Sequence, residues 1–164
     1  MTLKNLTAAC LLAAVLVATG CDKKADSPKA EEKKGKESGT KEGEHAHGKG
    51  PNGGVVFDLG KHHAEFTVDH DKKECTVLIL SPDEKDPKVM AVVAKEFTLT
   101  TKPTKTKDGK VVAPMTIMMV AKDQKDGKAS KFVGSDPGLG NVAEFEGTVN
   151  GEIDGKPSSG EFKE

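Results

Sequence analysis

The five histidines of this chain are bunched: His45, His47, His62, His63 and His70 all fall between positions 45 and 70. Neutral imidazole is the commonest protein ligand for transition metals, so the bunching raises metal binding first. His45-Ala46-His47 sits in a Lys/Glu/Gly-rich stretch whose flexibility lets both rings reach one ion. In "HHAEFTVD", residues 62–69, alternation puts His63 and Glu65 on one strand face, about 7 Å apart at ~3.3 Å per residue. The candidate metal set is therefore His63 and Glu65, with His45 or His47 folding over, and its nitrogen and oxygen donors suit Zn or Cu. His62 and His70 share the other face, but roughly 26 Å of straight strand separates them, too far for co-ligands. A plainer use competes: no spacing here matches a closed zinc site, and the same histidines serve as solvated linker residues (His45, His47) and caps of strand ends (His62, His63, His70).

Other chemistry finds less support. Alternation sends Met115 and Met119 to one face and Met118 to the other, which splits a soft copper site and favours core packing. Cys75 opens an apolar strand and reads as a small buried residue. The chain has no G-x-S-x-G, P-loop, H-E-x-x-H or dinucleotide fingerprint, and no enzyme is expected. Every basic residue is lysine, which argues against forked recognition of phosphate. A net charge of −1 leaves no footprint for nucleic acid, and six Phe with no Trp or Tyr give no stacking platform.

The elements that would position these residues are strands. "GVVFDLG" and "HHAEFTVDH" are followed by "CTVLIL" across the turn "DHDKK", a hairpin with a buried second strand. "VMAVVA", "EFTLTT" and the long "VVAPMTIMMVA" read as further strands, with Pro114 marking an edge or bulge. "KFVGSDPGLGN" reads as mostly loop, and "AEFEGTV" and "GEIDGKPSSGEF" as closing strands turning at Asn150-Gly151 and Asp154-Gly155. Seven or eight strands with no convincing helix predict an all-β domain over residues 55–164, a single antiparallel β-sandwich, Ig-like or related. Residues 21–54 carry almost no apolar side chains, so they predict a disordered linker, about 30 Å from end to end.

The amino terminus gives the location. Lys4 precedes a twelve-residue apolar run, Ala8 to Thr19, too short for the ~20 residues of a membrane span and suited to a secretory signal over residues 1–20. Its end, Ala18-Thr19-Gly20-Cys21, resembles the lipobox of bacterial lipoproteins, with Ala18 where that family has Leu. The resemblance implies cleavage before Cys21 and lipidation of its thiol, hence a membrane-anchored, periplasm-facing protein at the bacterial cell envelope. With Cys10 removed and Cys21 lipidated, Cys75 has no disulfide partner. "GPNGGVVFDLGKHHAEFTVD" through "CTVLIL", with "AEFEGTVNGEIDGKPSSGEF", also resembles small bacterial predicted lipoproteins of unknown function. It is distantly similar to the β-rich domain of periplasmic heavy-metal efflux adaptor subunits, without their long helical hairpin. The expected role is non-enzymatic binding to an envelope protein partner; the alternative is a Zn/Cu-binding accessory of metal efflux or homeostasis.

Overall fold

The computed structural model describes residues 48–83 and 85–164, which form an all-β domain. The signal, Cys21, His45, His47 and the linker up to residue 47 lie outside the described residues. Ten strands follow one another: β1 (Val55–Leu59), β2 (His62–Asp69), β3 (Glu74–Leu80), β4 (Glu96–Thr101), β5 (Thr104–Lys105), β6 (Val111–Val112), β7 (Thr116–Ala121), β8 (Lys131–Ser135), β9 (Glu146–Ile153) and β10 (Lys156–Lys163). Eight of them make one antiparallel sheet in the order β1-β2-β3-β8-β7-β4-β9-β10, and β5 and β6 form a separate two-stranded ribbon. The sheet curls until its edge strands β1 and β10 almost meet, so the layers expected of a sandwich are parts of one sheet nearly closed into a barrel.

Period-two patterning explains the curl. Inward positions on β2 and β3 carry Ala64, Phe66, Val77 and Ile79, all fully buried, and β4 adds Phe97 and Leu99. All six phenylalanines of the chain are buried. Phe97 and Phe132 meet edge to face, with ring centroids 4.6 Å apart. A continuous apolar inner face of this kind is hidden from water by wrapping the sheet on itself, which also covers its edges. The seam between β1 and β10 is held by side chains and one long backbone bond. Phe162 of β10 lies 4.1 Å from Phe66 and 5.9 Å from Phe57 between centroids, and Gly60 N–H donates to the Ser159 carbonyl at 3.3 Å. Gly160 lets the strands approach, because a Cβ there would collide with the Asp58 carbonyl oxygen.

Four sequence expectations are corrected. "KFVGS" is β8, an interior strand bonded to β3 and β7, with Gly134 packed against Ile117 and Met119 where a side chain would not fit. Only the following Pro137–Gly140 segment is irregular, a 3-10 turn capped by Asp136. Asn150-Gly151 is no turn: β9 runs straight through it, and Gly151 leaves room for the Phe97 ring. "VMAVVA" forms only isolated bridges, Val89 with Leu80 and Val92 with Ala129. "VVAPMTIMMVA" is broken at Pro114 into β6 and β7. The turn at Asp154-Gly155 is as expected, with φ of 51° and 75° at the two central residues of a tight hairpin.

Candidate functional site

Residues 49–54, which composition assigns to the linker, belong to the folded domain. Gly50 to Gly53 make a β-turn with Pro51 and Asn52 at its centre, closed by Gly53 N–H to the Gly50 carbonyl at 2.9 Å. The turn lies over the outer face of β2, and there it meets Glu65. The Glu65 carboxylate accepts from Asn52 N–H at 2.8 Å, Asn52 Nδ2 at 2.8 Å and Gly54 N–H at 2.9 Å. Glu65 is thereby 1% exposed, although alternation alone would point it at water. A buried carboxylate is tolerable when several N–H groups satisfy it, and these three do so.

This changes the reading of the proposed metal pair. Glu65 is occupied with the turn, and His63 Nε2 faces Asp58 Oδ1 across the β1–β2 pair at 3.2 Å. Among the described residues, no group of three His, Cys, Asp or Glu side chains is arranged to hold a metal ion. The structure gives both His63 and Glu65 cross-element structural partners; His45 and His47 lie outside the described residues. His70 and His62 share the inward row of β2 and sit at opposite mouths of the barrel. At one mouth, His70 Nδ1–H donates to the Leu139 carbonyl at 2.7 Å, with its ring 6.2 Å from that of Phe145. At the other, His62 is 4% exposed, and its Nε2 lies 4.0 Å from Asp154 Oδ2.

The sulfur residues divide as alternation predicts. Met115 and Met119 are buried, Met118 is 63% exposed, and Cys75 is 1% exposed with its thiol directed at Met119 Sδ, 3.5 Å away. Burial pushes the Cys75 pKa up to about 12, so the reactive thiolate is scarce at neutral pH. Peptide-resolved alkylation with iodoacetamide at pH 8 is expected to leave Cys75 unmodified in the native chain and to label it fully in denaturant. Rapid native labelling would contradict its placement.

The outer face of the sheet carries neighbouring apolar side chains. On it, half-buried Leu78 of β3 and buried Val133 of β8 lie diagonally across the β3–β8 pair, Val120 of β7 is paired to Val133, and Met118 follows two residues away on β7, so that an apolar strip ends in two exposed side chains. Val120 is 43% exposed. The strip opens on one side into a groove of about 450 Å³ between the 50–54 turn and the β2–β3 hairpin, floored by Leu78, Val133 and Thr76. Asp69, Lys72 and Lys131 line its rim, and the first two are bonded to each other at 2.6 Å. Comparison with known proteins finds no matching family model, curated protein or solved structure. The functional reading therefore rests on this geometry and on the amino-terminal sequence. Sequence reasoning separated Met118 from Met115 and Met119 by parity but kept core packing as the reading for the methionines; the outward row that Met118 shares with Val120 was the signal that could have found the strip.

Proposed function

We propose that the chain is a membrane-anchored periplasmic lipoprotein whose β-domain is a non-enzymatic module that binds an envelope protein through its outer face. The observation that carries the reading is the filled interior beside an outer-face apolar strip on which Met118 and Val120 stand exposed. The inside of the curled sheet is packed with Phe57, Phe66, Phe97, Phe132 and Phe162, which leaves it unsuited to the enclosed ligand of a wider barrel. Recognition then falls to the surface, and an apolar strip with a polar, charged rim has the make-up of a protein contact. The lipobox resemblance at Ala18-Thr19-Gly20-Cys21 supplies the anchor, and the Lys/Glu-rich linker supplies reach.

Two measurements test the two halves. Metabolic labelling of the full chain with a palmitate analogue in a bacterial host should give a lipid-modified, membrane-fraction protein, and Cys21→Ala should abolish both properties. A photo-crosslinking residue at position 118 should yield a discrete adduct that Val120→Glu removes, while the same residue at exposed position 142 yields none. Position 118 is exposed and should change folding by no more than about 0.5 kcal/mol; Val120→Glu sets a like charge opposite Glu96 and should cost about 1 kcal/mol, which leaves the domain folded. A Cys21→Ala chain that remains lipidated, or an adduct indifferent to position and to Val120→Glu, rejects the corresponding half.

A further inference from the structure

Among the described residues, the buried side-chain nitrogens and oxygens left without a hydrogen-bond partner are the two ring nitrogens of His62. The position belongs to the inward row of Ala64 and Phe66, opposite the fully buried Leu59, where an aliphatic side chain would satisfy every packing demand. No protein group hydrogen-bonds the imidazole there, so the protein does not repay the burial of its ring nitrogens. Such a local conflict within an otherwise consistent core marks a place where something besides stability is served.

What surrounds His62 indicates what that is. From its own turn, Lys61 faces it; from the β9–β10 turn, Asp154 faces it, with Oδ2 3.5 Å from Lys61 Nζ and 4.0 Å from His62 Nε2. The segment before β4 contributes backbone: Val93 N–H donates to Asp154 Oδ1 at 3.2 Å, and Asp154 N–H donates to the Val93 carbonyl at 2.9 Å. Asp154 is thus fixed in place, near His62 but beyond hydrogen-bonding distance. Burial and the Lys61 ammonium hold the His62 pKa below its ordinary value, and Asp154 opposes them more weakly. The contacts joining the β1–β2 turn to the β9–β10 turn are weak ones. Besides the His62–Asp154 approach and the packing of Gly60 against Ser158, they are the 3.3 Å bond from Gly60 to Ser159 and the exposed Lys61–Asp154 pair.

We propose that His62 is an acid-released latch on the barrel seam: its protonation drives the β1–β2 turn away from the β9–β10 turn, carrying the ring into water and uncovering the turn-proximal ends of the β1 and β10 edges. The direction follows from linkage. With the turn lifted, the ring regains an ordinary histidine pKa of about 6.5, so the open form binds a proton that the closed form resists. Opening is therefore unaided above about pH 6.5 and favoured up to tenfold per pH unit below it, until the closed form also protonates.

Hydrogen exchange of the full chain at pH 7.5 and 5.0, expressed as protection factors, tests the latch. In peptides covering 56–63 and 153–160, protection should fall by up to about 30-fold between pH 7.5 and 5.0, while peptides of β3 and β8, 75–80 and 131–135, stay level. His62→Gln and His62→Met, neither of which can be protonated, should flatten the response; His70→Gln should keep it. An NMR titration of the wild-type His62 ring needs no variant, and its midpoint should fall below 6.5 and coincide with shifts of the Gly60 and Ser159 amides. Seam protection indifferent to pH, an acid response retained in both His62 variants, or a ring midpoint at or above 6.5 without seam shifts would overturn the proposal.

Discussion

Glu65→Ala is expected to lower the stability of the domain by roughly 2–4 kcal/mol, as three part-buried donors lose their acceptor at ~1–3 kcal/mol each and the turn partly recovers by moving into water. Asn52 contributes two of those donors and Gly54 the third. The loss should appear as a fall in melting temperature on the order of 10 °C for a domain of this size. It should be accompanied by proteolytic cleavage within residues 49–54, which the wild type resists. Glu65→Gln keeps one carbonyl acceptor and the side-chain volume, so it should lie between the two. Gly54→Ala approaches the same interface from the other side: a Cβ at Gly54 would collide with the Phe66 carbonyl oxygen. The turn should detach in that variant with Glu65 still present. If Glu65→Ala cost less than about 0.5 kcal/mol, as an unremarkable surface change does, the 49–54 segment would have to be attached by something other than this carboxylate.

The same residue shows where the sequence is legible and where it stops. Strand alternation in "HHAEFTVD" places His63 and Glu65 outward and Ala64, Phe66 and Val68 inward, and the structure keeps that parity. The inference from outward to solvated fails, because what covers an outer face is decided by another segment. That cover is "GPNGG", whose composition looks like linker and whose turn is held to β2 by the distant Glu65. β8 fails for a related reason. "KFVGS" is short, contains glycine and is followed by a Pro/Gly cluster, and its strand character comes from the β3 and β7 neighbours that flank it. Asp154-Gly155 was readable because both central residues take positive φ, which local residue type governs. Asn150-Gly151 carries the same dipeptide signature, yet strand pairing on both sides overrides it. The general class, antiparallel all-β, follows from periodicity; the joining of eight strands into one sheet depends on long-range pairing that no local pattern encodes. Of the candidate residues, Cys75 and the parity of the methionines were legible, whereas the partners of His63 and Glu65 were not.

Phe162→Ala tests that long-range closure, and a loss of roughly 3–5 kcal/mol is expected from removing a fully packed aromatic ring. Phe162 is 2% exposed and reaches from β10 to Phe66 on β2 and Phe57 on β1. The size of the loss alone would not distinguish it from Phe97→Ala, which removes an equally buried ring packed against Phe132. The two differ in where the sheet yields. β4, which carries Phe97, is bonded on both sides, to β7 and β9, so its backbone ladder survives loss of the ring. β10 is paired along its length only with β9, and apart from the one long bond from Gly60 to the Ser159 carbonyl its other edge depends on side-chain packing against β1. In Phe162→Ala, amides of β1 and β10 should therefore exchange well before those of β3, β4 and β9. The uncovered edges should also promote concentration-dependent association, detectable by sedimentation. In Phe97→Ala, exchange should rise across the sheet together, with no added association. Uniform exchange and a strictly monomeric Phe162→Ala would mean that the seam is closed by main-chain pairing, and the aromatic cluster would then be ordinary core.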